Sequence, residues 1–266
     1  MTDDLLFEKQ NGVAWITLNR PAARNAFTLA MCDRLTNIVR ELQDDHDTRV
    51  VVLRGNGTDF TVGADLKEMS SSLSPLSTER GRDIPAIARK TAVPIVTGLY
   101  ALRQPIIASV RGHAIGIGAQ LALSADLCVA AATAKFLMPQ VRLAHPVDHG
   151  ESFFLPRKIG PARAMQLLLL AETLTAEQAR DFGLVNWLVA DAELEAKTVE
   201  IVQRLQAVAP VAAAEIKSLL RHSLANSLPQ QFTAEMRSLG VCAATEDFPE
   251  ALRAFVEKRT PVFRGR

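Results

Sequence analysis

Residues 49–53 read RVVVL, a short apolar run without the polar alternation of a half-exposed strand. Such a run suits a strand covered on both faces, as in a parallel sheet with helices on either side. Its neighbours support that layout. Upstream, Thr28 is placed to cap a helix reaching Gln43, with Leu29, Cys32, Leu35, Ile38, Val39 and Leu42 at helical spacing. Residues 5–9 and 13–18 flank Asn11-Gly12, a pair that favours a two-residue hairpin turn. Downstream, Gly55, Asn56 and Gly57 end the strand.

The middle of the chain repeats the pattern. The spacing predicts a helix over 85–102 despite Pro94, strands at 105–110, 127–131 and 135–137, and a short helix over 118–124. Between these thirds, residues 70–85 begin SSSLSPLS and predict a loop suited to a lid. From Ser152 onward almost everything reads as helix: 161–170, 176–182, 192–207, 211–224 and 249–258. An α/β core over residues 1–195, followed by a helical region over 196–266, is the expected organisation.

Charge and cysteine content narrow the function classes. Thirty Lys and Arg stand against 29 Asp and Glu, for a net charge of +1. That balance argues against a broad nucleic-acid surface, which needs clustered cation. Three cysteines without a CxxC pair argue against a disulfide scaffold or zinc ribbon and for a reducing compartment. No apolar run approaches the roughly 18 residues of a membrane span, and the N-terminus has no secretory h-region. A cytoplasmic protein with no membrane partner is expected.

Several chemistries are excluded by spacing. There is no P-loop, no complete dinucleotide fingerprint and no Gly-x-Ser-x-Gly elbow. His145 and His149 are four apart, but Pro146 interrupts any helix and the Glu of HExxH is missing, so no metal site is expected. Two glycine-bearing turns remain, residues 60–66 (FTVGADL) and 112–121 (GHAIGIGAQL). Each follows a β-type segment and opens into a helix. Such turns either serve chain reversal alone, with Asp65 as a cap, or aim free N–H groups at a negative charge as an oxyanion hole.

Six stretches carry a resemblance. They are 19–26 (NRPAARNA), 60–69 (FTVGADLKEM), 105–126 (PIIASVRGHAIGIGAQLALSAD), 156–170 (PRKIGPARAMQLLLL), 179–185 (ARDFGLV) and 254–263 (AFVEKRTPVF). In this order and spacing the chain resembles the crotonase (enoyl-CoA hydratase/isomerase) superfamily over nearly its whole length. The resemblance implies a spiral of repeated ββα units followed by helices used for trimerisation, in a homotrimer or dimer of trimers. It implies an acyl-CoA thioester substrate, with CoA entering only as part of that substrate and no separate cofactor.

Residue by residue, the oxyanion N–H groups fall on Ala64 and Ile117. Arg24 and Ala26 match the wall that contacts CoA, and Lys67 a basic position near the CoA phosphates. Phe255 and Lys258 match tail positions near adenine and phosphate, sometimes supplied by a neighbouring subunit. Basic residues in 253–266, namely Arg253, Lys258, Arg259, Arg264 and Arg266, fit an anionic ligand despite the neutral total.

The departures bear on chemistry. The two glutamates of the family's hydratases are Gln120 and Gln140 here. Glutamine orients by hydrogen bonds and exchanges no proton at neutral pH. Asp148 matches an aspartate carried by isomerase members and is expected to shuttle a proton, helped by a raised pKa. The alternative for Asp148 is a cap on the following helix or a pair with His145 or His149. Glu151 is a second candidate acid, ranked below it. Three readings follow: an enoyl- or dienoyl-CoA isomerase with a single Asp acid/base, favoured; a hydratase using a non-standard carboxylate; and a non-catalytic acyl-CoA-binding protein.

Overall fold

The computed structural model describes residues 3–68 and 84–266, so nearly all of the expected 70–85 lid lies outside the described residues. Strands β1 (Leu5–Gln10) and β2 (Val13–Leu18) pair antiparallel about Asn11 and Gly12, whose φ values of 50° and 75° are those a tight hairpin requires. From β2 the sheet continues in parallel through β3 (Val50–Gly55), β4 (Ile106–Val110), β6 (Leu127–Ala131) and β9 (Trp187–Val189). Three short strands, β5 (His113–Ile115), β7 (Lys135–Leu137) and β8 (Leu174–Thr175), form a second sheet.

The RVVVL run behaves as its pattern predicts. Val50 to Leu53 are all buried, and alternate residues feed two different cores. Val51 and Leu53 join Ile16, Leu35, Ile38 and Leu99 on one face. Val50 and Val52 join Ile107, Val129, Ile201 and Val202 on the other. Burying both faces of a strand contributes about 1.5–3 kcal/mol per large aliphatic side chain, which offsets the ordering of the backbone.

Helix α1 (Leu29–Gln43) is capped by Thr28, whose hydroxyl accepts from Met31 N. It packs on α2 (Ile84–Ala101), which passes through Pro94 without ending. Helix α3 (Ile117–Ser124) follows β5 directly. Beyond a 3-10 turn at Gln140–Leu143 come α4 (Glu151–Ile159), α5 (Pro161–Leu170), α6 (Ala176–Asp181) and α7 (Leu194–Gln206). Then follow α8 (Pro210–His222), α9 (Leu228–Ala243) and α10 (Asp247–Val256).

Asp126 ties the last region to the first. Its carboxylate accepts from Ile106 N at 2.8 Å, Lys217 Nζ at 2.6 Å and Arg221 Nη2 at 2.9 Å. This is the structural role expected of a residue at a helix-to-strand turn.

The sequence pattern departs from the structure in three places. Residues 152–190 are not all helix, because β8 and β9 complete the two sheets there. Two or three residues are too few to show a period. Helix α9 was not among the expected helices: it follows Ser227, has Pro229 in its first turn, and carries Phe232, Met236 and Leu239 exposed. The final helix also starts two residues earlier than its periodicity suggests, at Asp247.

Candidate active site

Both glycine-bearing turns line one cavity of about 410 Å³. In the first turn, Phe27 N donates to Gly63 O and Asp65 N donates to Phe27 O, both at 2.8 Å. That parallel bridge turns the N–H of Ala64 away from Phe27. In the second, Gly116 has φ 54° and ψ −116°, and an added Cβ would meet nothing within 4 Å. Glycine there answers to backbone angle, not to crowding. The turn delivers Ile117 as the first residue of α3, where a helix leaves its N–H without an intrahelical partner.

Neither N–H donates to another group among the described residues, and both residues line the cavity. Close approach holds the turns together. Thr61 N donates to His113 O at 2.8 Å and Ile115 N to Thr61 O at 3.0 Å. A Cβ on Gly118 would lie 2.5 Å from Thr61 Cγ2, and one on Gly63 would lie 3.0 Å from Ile115 O. Two N–H groups without a backbone partner on neighbouring turns are the kind of arrangement that can hold a developing negative charge.

A second wall carries the titratable groups. Asp148, His145, His149 and Gln140 line the cavity, with Phe27, Val62, Ile87, Ile115 and Leu143 among its apolar residues. Asp148 Oδ1 lies 2.8 Å from His149 Nδ1, and 33% of the Asp148 side chain is exposed. Burial pushes its pKa up, but the His149 hydrogen bond and charge outweigh burial and hold it below the ordinary value. The raised pKa expected for Asp148 is therefore corrected: the side chain is too exposed, and too well partnered, for burial to win. His149 moves the other way; burial lowers it, yet the Asp148 bond raises it overall. His145 turns Nδ1 to the carbonyl of Pro146.

Glu151 stands behind this wall. It is fully buried at 0% exposure, and burial raises its pKa. Its Oε1 accepts from Gln140 Nε2 at 2.7 Å and its Oε2 from His149 N at 3.0 Å. Ligand atoms of Asp148, His149 and Glu151 lie within 4.8 Å of one another. Each residue is already hydrogen-bonded within the cluster or to Gln140. Gln120 lies buried in α3 and donates from Nε2 to Ser124 Oγ at 3.0 Å.

This geometry meets its relatives in the comparisons. The profile described as enoyl-CoA hydratase/isomerase matches residues 8–266. The chain belongs to the enoyl-CoA hydratase/isomerase family. It is 34% identical to the 2,3-dehydroadipyl-CoA hydratase of Escherichia coli, over 99% of both chains. It is 33% identical to the 1,2-epoxyphenylacetyl-CoA isomerase of the same organism, over the full length of both. Its fold superposes on the enoyl-CoA hydratase of Bacillus anthracis with a TM-score of 0.90 at 31% identity, covering 99% of this chain and 100% of that one. The crotonase-type α/β fold expected from sequence is thus the fold observed.

Within this family frame, the residues matched to CoA contacts are dispersed. Arg24 and Ala26 do not line the cavity. Arg24 instead clamps Asp59, with Nε donating to Oδ2 at 2.9 Å and Nη2 to Oδ1 at 3.1 Å. That guanidinium, with His113, holds the Asp59 carboxyl far below the usual carboxylate range. Lys67 is exposed just beyond Ala64. Phe255 is 84% exposed, and Lys258 adopts φ 54° after α10; neither reaches the cavity of its own chain.

Two cavity residues escaped the sequence reading. Glu68 lines the cavity and accepts from Leu29 N at 3.1 Å, at the start of α1. It lies inside the matched stretch 60–69, so its position was the available signal. Cys32 also lines the cavity, with its thiol pushed up to about 12 by burial, so it is not a nucleophile at neutral pH.

Proposed function

We propose that this acyl-CoA enzyme moves a double bond along an enoyl- or dienoyl-CoA, with Asp148 as its single acid/base. The observation that carries this reading is the contrast within one cavity. Asp148 is a carboxylate of lowered pKa on the cavity wall, whereas Gln140 on the same wall is an amide, as is Gln120, which is buried in α3 outside the cavity lining. Amides exchange no proton at neutral pH.

In the reaction, Asp148 takes a proton from one carbon of the acyl chain. The electron pair passes to the thioester oxygen, and the N–H groups of Ala64 and Ile117 hold the enolate. Asp148 then returns the proton to a carbon further along, and the double bond migrates without a change in composition. The low pKa of Asp148 keeps it ready as a base. It also makes it a weak one, so the cradle carries much of the stabilisation.

The CoA moiety is assigned to the face holding Arg24, Ala26 and Lys67, with Phe255 and Lys258 supplied by a neighbouring subunit. A homotrimer or dimer of trimers supports that sharing. Exposed apolar residues on α9 and α10, including Phe232, Met236, Leu252, Phe255 and Val256, exceed the scattered apolar surface of a monomer.

The test is turnover on 2-enoyl-, 3-enoyl- and dienoyl-CoA by wild type and Asp148→Asn. The expected outcome is isomerisation reduced about 10²–10⁴-fold by the substitution, the usual worth of a positioned acid/base. Hydration that survives Asp148→Asn and disappears in a Glu151 variant favours the hydratase reading. Binding without turnover on the whole panel favours the non-catalytic one.

A further inference from the structure

Outside the cavity lining, three stretches of chain meet at one buried carboxylate. The Asp59 side chain is 5% exposed. Its Oδ2 accepts from Arg24 Nε at 2.9 Å and from Thr58 Oγ1 at 3.0 Å. Its Oδ1 accepts from Arg24 Nη2 at 3.1 Å and from the backbone N of His113 at 2.9 Å, and lies 2.7 Å from His113 Nδ1. Arg24 Nη2 also stands 2.6 Å from that ring nitrogen.

These partners stand at the roots of the segments that form the two turns. Asp59 precedes Ala64 by five residues, His113 precedes Ile117 by four, and Arg24 precedes Phe27 by three. Phe27 forms a parallel bridge with Ala64, and Thr61 one with Ala114. Thr61 Oγ1 adds a second tie, donating to Asn25 O at 2.6 Å and accepting from Gly63 N at 3.1 Å. The approach is close enough to need glycine. At Gly112 φ is +55°, and a Cβ would overlap Thr58 O and lie 2.6 Å from Asp59 Oδ1.

A buried ion is costly unless it is paired and hydrogen-bonded. Asp59 meets both conditions, and the Arg24 guanidinium holds its carboxyl far below the usual carboxylate range, so it is charged at neutral pH. Among the described residues, the bonds of this carboxylate run only to Arg24, Thr58 and His113. They therefore join the segments that carry the two turns and no other part of the fold.

We propose that Asp59 is a positioning residue: its carboxylate sets the separation of the two turns, and so the placement of the Ala64 and Ile117 N–H groups on the thioester oxygen. The inference rests on the oxyanion reading of those two groups. Asp59 does not line the cavity, so it acts through the turns and not by touching the acyl group. Two donors must reach one oxygen at once, and hydrogen bonds weaken steeply with distance and angle. A small displacement of either turn costs most in the transition state, where charge gathers on that oxygen, and little in binding of the ground-state ester.

The test is infrared difference spectroscopy of hexanoyl-CoA carrying ¹³C at the thioester carbon, bound to the full chain at pH 7. The thioester C=O stretch reports the hydrogen bonds on its oxygen. Wild type is expected to lower the stretch relative to the free ester. Asp59→Ala is expected to lose roughly half of that shift, the share of one donor in two, and to cut kcat on 3-hexenoyl-CoA about 10–10²-fold. Its Kd for hexanoyl-CoA, read by calorimetry, is expected to stay within about threefold of wild type. Asp59→Asn keeps an acceptor for His113 N and loses the Arg24 ion pair. A smaller loss of the shift is expected there, so the test survives if Asp59→Ala does not fold. A full wild-type shift in every Asp59 variant that folds overturns this inference alone and leaves Asp59 a stabilising ion pair. A loss of affinity as large as the loss of kcat also overturns it. A wild-type stretch unmoved from that of the free ester overturns the inference together with the oxyanion reading.

Discussion

The turns at Ala64 and Ile117 bring backbone N–H groups to the cavity lining, whereas the wall from Gln140 to Glu151 brings titratable and amide side chains. The first is set by chain geometry: a parallel bridge at Phe27, a positive φ at Gly63 and Gly116, and a helix start at Ile117. Many side chains are compatible with such a cradle, and Ile117 shows one. The second depends on which residues stand there and on what each touches. Asp148 and Glu151 are three residues apart, yet their pKa values move in opposite directions, because one meets His149 at a cavity wall and the other is wholly enclosed. A shared cradle can therefore bind one kind of ligand while the side-chain wall decides what happens to it.

The sharpest break of this comparison is at Gly63. Gly63→Val forces a β-branched residue into φ +95° and places its Cβ 3.0 Å from Ile115 O. Turnover is expected to fall about 10²–10³-fold, the usual loss of one oxyanion donor, as measured by steady-state kinetics. Gly116→Ala meets no atom, so its effect reports backbone angle alone. Holding alanine there strains the chain by about 1–3 kcal/mol, and kcat is expected to drop about tenfold as the Ile117 N–H turns away.

On the other wall, pH separates the partners. Asp148 is held below its ordinary 3.8 and His149 above its ordinary 6.5. The Asp148 contribution to stability is present above 3.8 and is lost as pH falls through the lowered value. The His149 contribution is whole below 6.5 and is lost as pH rises through the raised value, so the pair is intact between those limits. His149→Ala removes the strongest opposition to burial at Asp148, leaving the weaker His145 charge and a backbone hydrogen bond, and the acid limb of kcat/KM is expected to move to higher pH. The smallest effect is at Ile117→Ala, which keeps the backbone donor; kcat is expected to stay within about threefold of wild type.

The same distinction explains what was legible in the sequence. Asn11-Gly12 and RVVVL announced their elements because turn chemistry and two-face burial are local properties. The turns that hold Ala64 and Ile117 were legible as turns, because their glycines stand at positive φ, a local requirement. Helix α9 was not among the expected helices, although Phe232, Met236 and Leu239 recur at helical spacing; all three are exposed among the described residues. The bond from Gln140 to Glu151 spans eleven residues across a 3-10 turn and a glycine, and no periodicity encodes it. The ion pair of Arg24 with Asp59, 35 residues away, is likewise invisible to a local pattern.

In the proposed reaction one carboxylate, Asp148, moves a proton without adding water. The most direct measurement is conversion of a 3-enoyl-CoA in H₂¹⁸O by wild type and Asp148→Asn, followed by mass spectrometry of the acyl product. The account predicts a 2-enoyl product free of ¹⁸O, formed by wild type and lost in Asp148→Asn. An ¹⁸O-labelled hydroxyacyl product formed equally well by both proteins would contradict it.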